Sequence, residues 1–137
     1  MALPKGNHIT RAPLTAKLHD PNSKFEDRRE AAIHLAWLDR VEKGRKTTLA
    51  ALHIGPYSIL HMPGELFVEY QLEAQQMSPG RHVLMAAYGD FGPGYIGTAV
   101  SYSQGGYEVS ERASRVAPAV EQVLRNAMRQ LLNHPIN

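Results

Sequence analysis

Tyr57-Ser58-Ile59-Leu60-His61-Met62 is an apolar-rich run stopped by Pro63-Gly64, and Arg81-His82-Val83-Leu84-Met85-Ala86-Ala87-Tyr88 is a second one that begins after Pro79-Gly80. Between them a helix is expected to open near Glu65, with Leu66, Tyr70, Ala74 and Met77 along one face. Strand, helix and strand in this order imply a right-handed βαβ unit whose two strands are parallel. The second strand is apolar on both faces, which predicts a central place in the sheet. Just upstream, Thr47 to Ile54 (TTLAALHI) is rich in β-branched and aliphatic residues and ends at Gly55-Pro56. It forms an antiparallel hairpin with the run at Tyr57. The fold class that follows is α/β, with α+β as its neighbour: a three-stranded mixed sheet, one βαβ unit and about three helices.

Two further helices flank this unit. Ser23-Lys24-Phe25-Glu26 has capping-box form, and Phe25, Ile33, Leu35, Trp37, Leu38 and Val41 follow at three- and four-residue spacings up to Gly44, so a helix is expected over about 24–43. The last helix is expected over about 115–132, with Val116, Val120, Leu124, Ala127 and Leu131 as its stripe and Pro118 in its first turn. Residues 1–22, broken by Pro4, Gly6, Pro13 and Pro21, read as an extended or disordered arm, which leaves residues 23–137 as a single domain. Gly89 to Gly106 holds six glycines in eighteen residues together with Tyr95 and Tyr102, and reads as a shaped loop.

At 137 residues the chain has room for one domain with a real core. It is 43% hydrophobic and 20% charged, ordinary for a globular protein. No apolar run approaches the roughly 20 residues that span a bilayer, and no signal peptide is visible at the N-terminus. The absence of cysteine excludes disulfides, thiolate metal sites and cysteine nucleophiles. Fifteen Lys and Arg against thirteen Asp and Glu give a net charge of +2, and the cations are scattered rather than set in a stripe with aromatics, so nucleic acid is not an expected partner. There is no Gly-x-Ser-x-Gly elbow, no phosphate-cradling Gly-Lys-Ser/Thr loop and no dinucleotide fingerprint.

In open α/β sheets, ligands collect outside the carboxyl ends of the parallel strands. Two segments must lie there: Pro63-Gly64-Glu65, and the loop from Tyr88 to Tyr95. Glu65 and Tyr95 are therefore neighbours by topology although thirty positions separate them. Taken alone, Glu65 is also explained as a carboxylate in the first turn of a helix, where the dipole interaction is worth about 0.3–1 kcal/mol. His61 is explained as a core or edge histidine, Tyr95 as a loop anchor, and Tyr88 and Asp90 as strand-end and turn residues.

The segment Leu60-His61-Met62-Pro63-Gly64-Glu65-Leu66-Phe67-Val68-Glu69-Tyr70 resembles the neutral/alkaline (non-lysosomal) ceramidase-like family. Ala87-Tyr88-Gly89-Asp90, Gly94-Tyr95-Ile96, Gly105-Gly106-Tyr107-Glu108 and the final amphipathic helix continue the resemblance. It runs from about residue 28 to 132, covers the C-terminal part of that family's catalytic domain, and is nearest to its bacterial branch of hypothetical proteins. The resemblance implies a zinc amidohydrolase that cleaves an N-acyl amide, in which zinc polarises the carbonyl and activates a water. Two histidines, a glutamate and a tyrosine hold that zinc. The glutamate falls on Glu65 and the tyrosine on Tyr95, with His61, Tyr88 and Asp90 as further candidates near the site.

The two histidine ligands belong to an earlier part of the family domain, and His8, His19, His34, His53, His61, His82 and His134 do not carry its histidine motifs. The expectation is therefore no catalysis and no zinc in this chain alone, with the missing N-terminal portion, or a second copy in a homo-oligomer, as partner. The substrate implied for the parent is a lipid-like acyl amide, and parents of this family are often exported. Two other readings stay open: a non-catalytic binding or oligomerisation module with a vestigial site, and an oligomeric enzyme that recruits His61 or His53.

Overall fold

The computed structural model describes residues 1–90 and 92–133. Over these residues it is a mixed α/β fold, as the sequence implies. β1 (Ala50–Ile54) and β2 (Tyr57–Pro63) form an antiparallel hairpin closed by the two-residue turn Gly55-Pro56, with Ile54 opposite Tyr57. β3 (Glu65–Leu66) leads into α3 (Val68–Met77), and β4 (His82–Gly89) returns parallel to β2. The sheet order is β1-β2-β4, while β3 pairs with β5 (Tyr95–Ile96) in a separate two-stranded ribbon.

The inner face of the three-stranded sheet carries Ser58, Leu60, Met62 and Val83, all buried. α3 lies against β4, and α5 (Val120–Leu132) touches β1, β2 and α3. Tyr70 on α3 is fully buried and donates its hydroxyl to the Gly97 carbonyl at 2.9 Å. α5 buries Val120, Leu124, Met128 and Leu132, a strict four-residue repeat.

Several expectations are corrected. Residues 1–22 are not an extended arm. Arg11–His19 form α1, which packs on α2 (Phe25–Glu42) and buries Leu14, while Leu3 and Ile9 enter the core. The segment ahead of α1 is tied by backbone bonds: Met1 and Thr47 bond to each other, Gly6 N–H donates to Arg115 O, and Ala117 N–H donates to Pro4 O. These partners are distant in sequence, so local composition could not reveal them. The capping box does not form. Lys24 is the N-cap of α2 without a side-chain bond, and Ser23 Oγ donates instead to Asp20.

Helix α3 begins at Val68 rather than Glu65, because Glu65 and Leu66 are drawn into pairing with Tyr95 and Ile96. β4 is an edge strand, and β2 is central. The glycine-rich loop holds regular structure after all, namely β5 and α4 (Ala99–Gln104). The described residues thus contain five helices instead of about three. The last helix starts at Val120, with Pro118 ahead of it, and Met128 rather than Ala127 completes its buried stripe.

β4 is apolar on both faces because its second face is apolar and bare. Leu52, Ile54, Tyr57 and Leu84 are 56%, 58%, 48% and 50% exposed, and the register sets Leu52 opposite Ile59 and Ile59 opposite Leu84. Sheets containing parallel strands usually bury both faces.

Unfolding in denaturant separates the two faces. Leu60→Ala, on the buried side, is expected to cost about 2–5 kcal/mol. Leu84→Lys, on the bare side, is expected to stay within about 0.5 kcal/mol. An equal loss in both would mean that something covers the outer face in solution.

His34 on α2 is buried with its Nε2 unpartnered, and its ring meets that of His8 edge-on at 5.7 Å. Desolvation first, and then the nearby Arg115 charge, hold its pKa down at about 4, against 6.5 for a free histidine. His8, also desolvated, is lowered as well, although Glu111 opposes the shift. A histidine kept neutral by the fold binds its proton more readily when unfolded, so the stability it contributes is present above about pH 6.5 and lost as pH falls toward 4. Urea melts at pH 7 and pH 4.5 are expected to show this loss, and His34→Leu to reduce it. An unchanged pH slope in the variant would assign the acid sensitivity elsewhere.

Candidate functional site

The ribbon of β3 and β5 sets Glu65 directly opposite Tyr95. Glu65 N–H donates to Gly94 O at 2.9 Å, and Tyr95 N–H donates to Ala113 O at 3.1 Å, so three chain segments meet in one backbone ladder. The ladder requires glycine at two points. Gly64 (φ +64°) leaves only 2.6 Å between the place of a Cβ and Gly94 O, and Gly94 (φ +69°) leaves 2.3 Å to Ala113 O. Any side chain at either position would push the segments apart.

Glu65, Tyr95 and Tyr88 come together. Glu65 and Tyr95 share one face of the ribbon, and hydrogen bonding toward the Glu65 carboxylate, followed by desolvation and the charge itself, pushes the Tyr95 phenol up to about 12. Tyr88 is raised as well, chiefly by the facing charge of Glu65. Tyr88 sits at a register shift between β2 and β4, with φ +67°, and its N–H donates to Gly64 O at 2.7 Å. A bulky residue in the left-handed region costs of order 1–3 kcal/mol, and such bulges recur where a side chain is re-aimed beside a site. Here the re-aimed group is the phenol facing Glu65.

Asp90 and His61 do not join them. Asp90 pairs with Arg40 in an adjoining groove of about 480 Å³ lined by Ile33, Ala36, Trp37, Gly92 and Arg115. His61 is exposed on β2 with its ring against Gly89 and does not line the cleft. His134, also considered from sequence, lies outside the described residues.

The cleft over Glu65 and Tyr95 has a volume of about 270 Å³. Its far wall is supplied by residues the sequence reading did not single out: Glu30 and Arg29 from α2, and Arg112 and Arg115 beyond α4. Tyr107, noted only within the Gly-Gly-Tyr-Glu match, stands edge-on to Tyr95 with ring centroids 6.2 Å apart. Arg112 pairs with Glu30 at 3.3 Å, and Arg29 with Glu26 at 2.7 Å. Only the three-residue spacing of Arg112 and Arg115, directly after the glycine-rich segment, hinted at them.

The donors present do not by themselves fit zinc. One carboxylate and a phenol that holds its proton fall short of the three protein ligands a catalytic zinc normally takes. Among the described residues, no three His, Cys, Asp or Glu side chains converge on one point. No described helix is long and apolar enough to cross a membrane. No family model, curated protein or solved structure matches the chain.

Tyrosine ionisation, followed by ultraviolet absorbance, reads the Glu65–Tyr95 bond. Subtracting the Tyr95→Phe curve isolates a phenol that titrates near pH 12. In Glu65→Gln it is expected to move down toward the ordinary value near 10. A Tyr95 curve that does not shift would mean that the carboxylate does not face the phenol in solution.

Proposed function

We propose that this chain is the C-terminal portion of a ceramidase-like zinc amidohydrolase domain, supplying two of its four metal ligands, Glu65 and Tyr95, and inactive without the portion that carries the two histidines. The observation that carries the reading is the cross-strand pairing of Glu65 with Tyr95 at the mouth of one cleft. Those are the two residues that the resemblance assigns to the metal, they are thirty positions apart, and nothing in either local sequence requires them to meet. Their present state suits a half-site: among the described residues the Glu65 carboxylate has no cation paired with it and faces the phenols of Tyr95 and Tyr88, which leaves it open to a metal when imidazoles arrive.

The bare outer face of the sheet favours this reading over a self-sufficient binding module. Leu52, Ile54, Tyr57, Ile59 and Leu84 form an apolar surface of the kind that a further layer of a larger α/β domain covers. Tyr107, edge-on to Tyr95 at the cleft, would then offer an acyl amide a hydrogen-bond donor beside the two ligand residues. The substrate class is an N-acyl amide with a lipid-like acyl chain.

Elemental analysis tests the division of labour. The purified chain is expected to hold far less than one zinc per molecule at neutral pH and to release no fatty acid from an acyl amide. Co-expressed with an in-frame upstream sequence bearing two metal-type histidines, it is expected to reach one zinc per complex, lost in Glu65→Gln. Close to one zinc on the chain alone, lost on Glu65→Ala, would overturn the half-site reading and favour an oligomeric enzyme.

A further inference from the structure

Arg115 lines both the cleft over Glu65 and the adjoining groove, and it is the one guanidinium there without a carboxylate among the described residues. Arg29, Arg112 and Arg40 are each paired with an acid, whereas Arg115 gives one hydrogen bond, from Nη1 to the Gly92 carbonyl at 3.2 Å, and its Nε is buried without a partner. A charge drawn out of water normally takes a counter-ion, because an unpaired one is costly.

The main chain at Arg115 is also held in place. Its backbone carbonyl accepts the Trp37 indole N–H at 3.0 Å and Gly6 N–H at 2.9 Å, and its own N–H donates to Pro93 O at 3.0 Å. Gly94 leaves room for the side chain, since a Cβ there would fall 2.7 Å from Nη1. A half-buried, unpaired guanidinium on a fixed main chain beside a cleft is suited to receive an anion.

We infer that Arg115 captures the carboxylate of a small monoanionic acid whose apolar body lies against Tyr107, Tyr95 and Ile33. The charge count favours a single negative charge. Arg29 is neutralised by Glu26 and Arg112 by Glu30, which leaves the single unpaired cation of Arg115 to match a single negative charge, and a dianion would be repelled by Glu30 and Glu65. A planar carboxylate also matches the guanidinium fork. The volume of about 270 Å³ admits a compact ring or short acyl body, and the edge-on tyrosine pair gives that body an aromatic wall. This site stands whether or not Glu65 and Tyr95 once held a metal.

The test is a titration in chelator-treated buffer, so that its outcome bears on this site and not on zinc. Benzoate is the probe, benzamide its neutral isostere and inorganic phosphate the competing anion, each followed by calorimetry on the whole chain. Benzoate is expected to bind saturably, benzamide and phosphate more weakly, and Arg115→Met to lose at least about tenfold of the benzoate affinity, as removal of charge-assisted hydrogen bonds does. Should Arg115→Met fail to fold, Arg115→Lys carries the test: it keeps the charge but not the fork, and a several-fold loss is expected. Absence of saturable benzoate binding, equal binding of benzamide, tighter binding of phosphate, or an unchanged affinity in the folded variant would each overturn the assignment.

Discussion

Everything at the cleft hangs on the closeness with which Gly64, Gly94 and Ala113 pass one another. The peptide planes of three distant segments stack with no room for a side chain between them, at 2.6 Å and 2.3 Å from where a Cβ would sit. From that contact follow the β3–β5 pairing and the short bridge of Gly94 to Ser114. Glu65, Tyr95 and Arg115 each lie one residue from a member of the ladder, so their separation is set by backbone hydrogen bonds rather than by flexible loops. A site on such a frame keeps its geometry at little entropic cost when a ligand arrives.

The electrostatics divide the charged groups into those already satisfied and those still open. Arg40 and Asp90 neutralise one another, as do Arg112 and Glu30. Glu65 instead faces phenols, which are neutral and weaker partners than a cation, and Arg115 is held by a peptide carbonyl. The two groups with unspent capacity, one negative and one positive, thus line the same cleft. Surface ion pairs contribute little to stability, so the paired arginines matter more for holding the walls apart than for folding.

The sequence was most legible where its signals were local. The Gly55-Pro56 turn between two apolar runs specifies the hairpin, and strand–helix–strand order specifies the parallel pairing of β2 and β4. It was least legible where distant contacts decide. α1 carries Pro13, and its Ala12, Leu14, Ala16 and Leu18 recur at every second position rather than at helical spacing, so its place is set by packing on α2 and burial of Leu14. Glu65 reads equally well as a helix start, and only pairing with a segment thirty residues away makes it a strand. β4 looked central because apolar residues on both faces imply two covered faces, and one of them is bare. Arg115 left only its three-residue spacing from Arg112, since what distinguishes it is the absence of a partner in space.

The bare face and the cleft are not independent features. The exposed alternation along β4, through His82, Leu84 and Ala86, continues past the register shift to Tyr88, whose phenol faces Glu65. The outer surface of the sheet therefore runs directly into the carboxylate. On the proposed reading, a layer laid over Leu52, Ile59 and Leu84 abuts Tyr88 and arrives beside Glu65 with no further connection required. Burial of the apolar face would supply the driving force, at about 25 cal/mol for each Å² removed from water. The same docking would bring imidazoles to a carboxylate that is already aimed. On that reading, assembly of the sheet and completion of the metal site become one event.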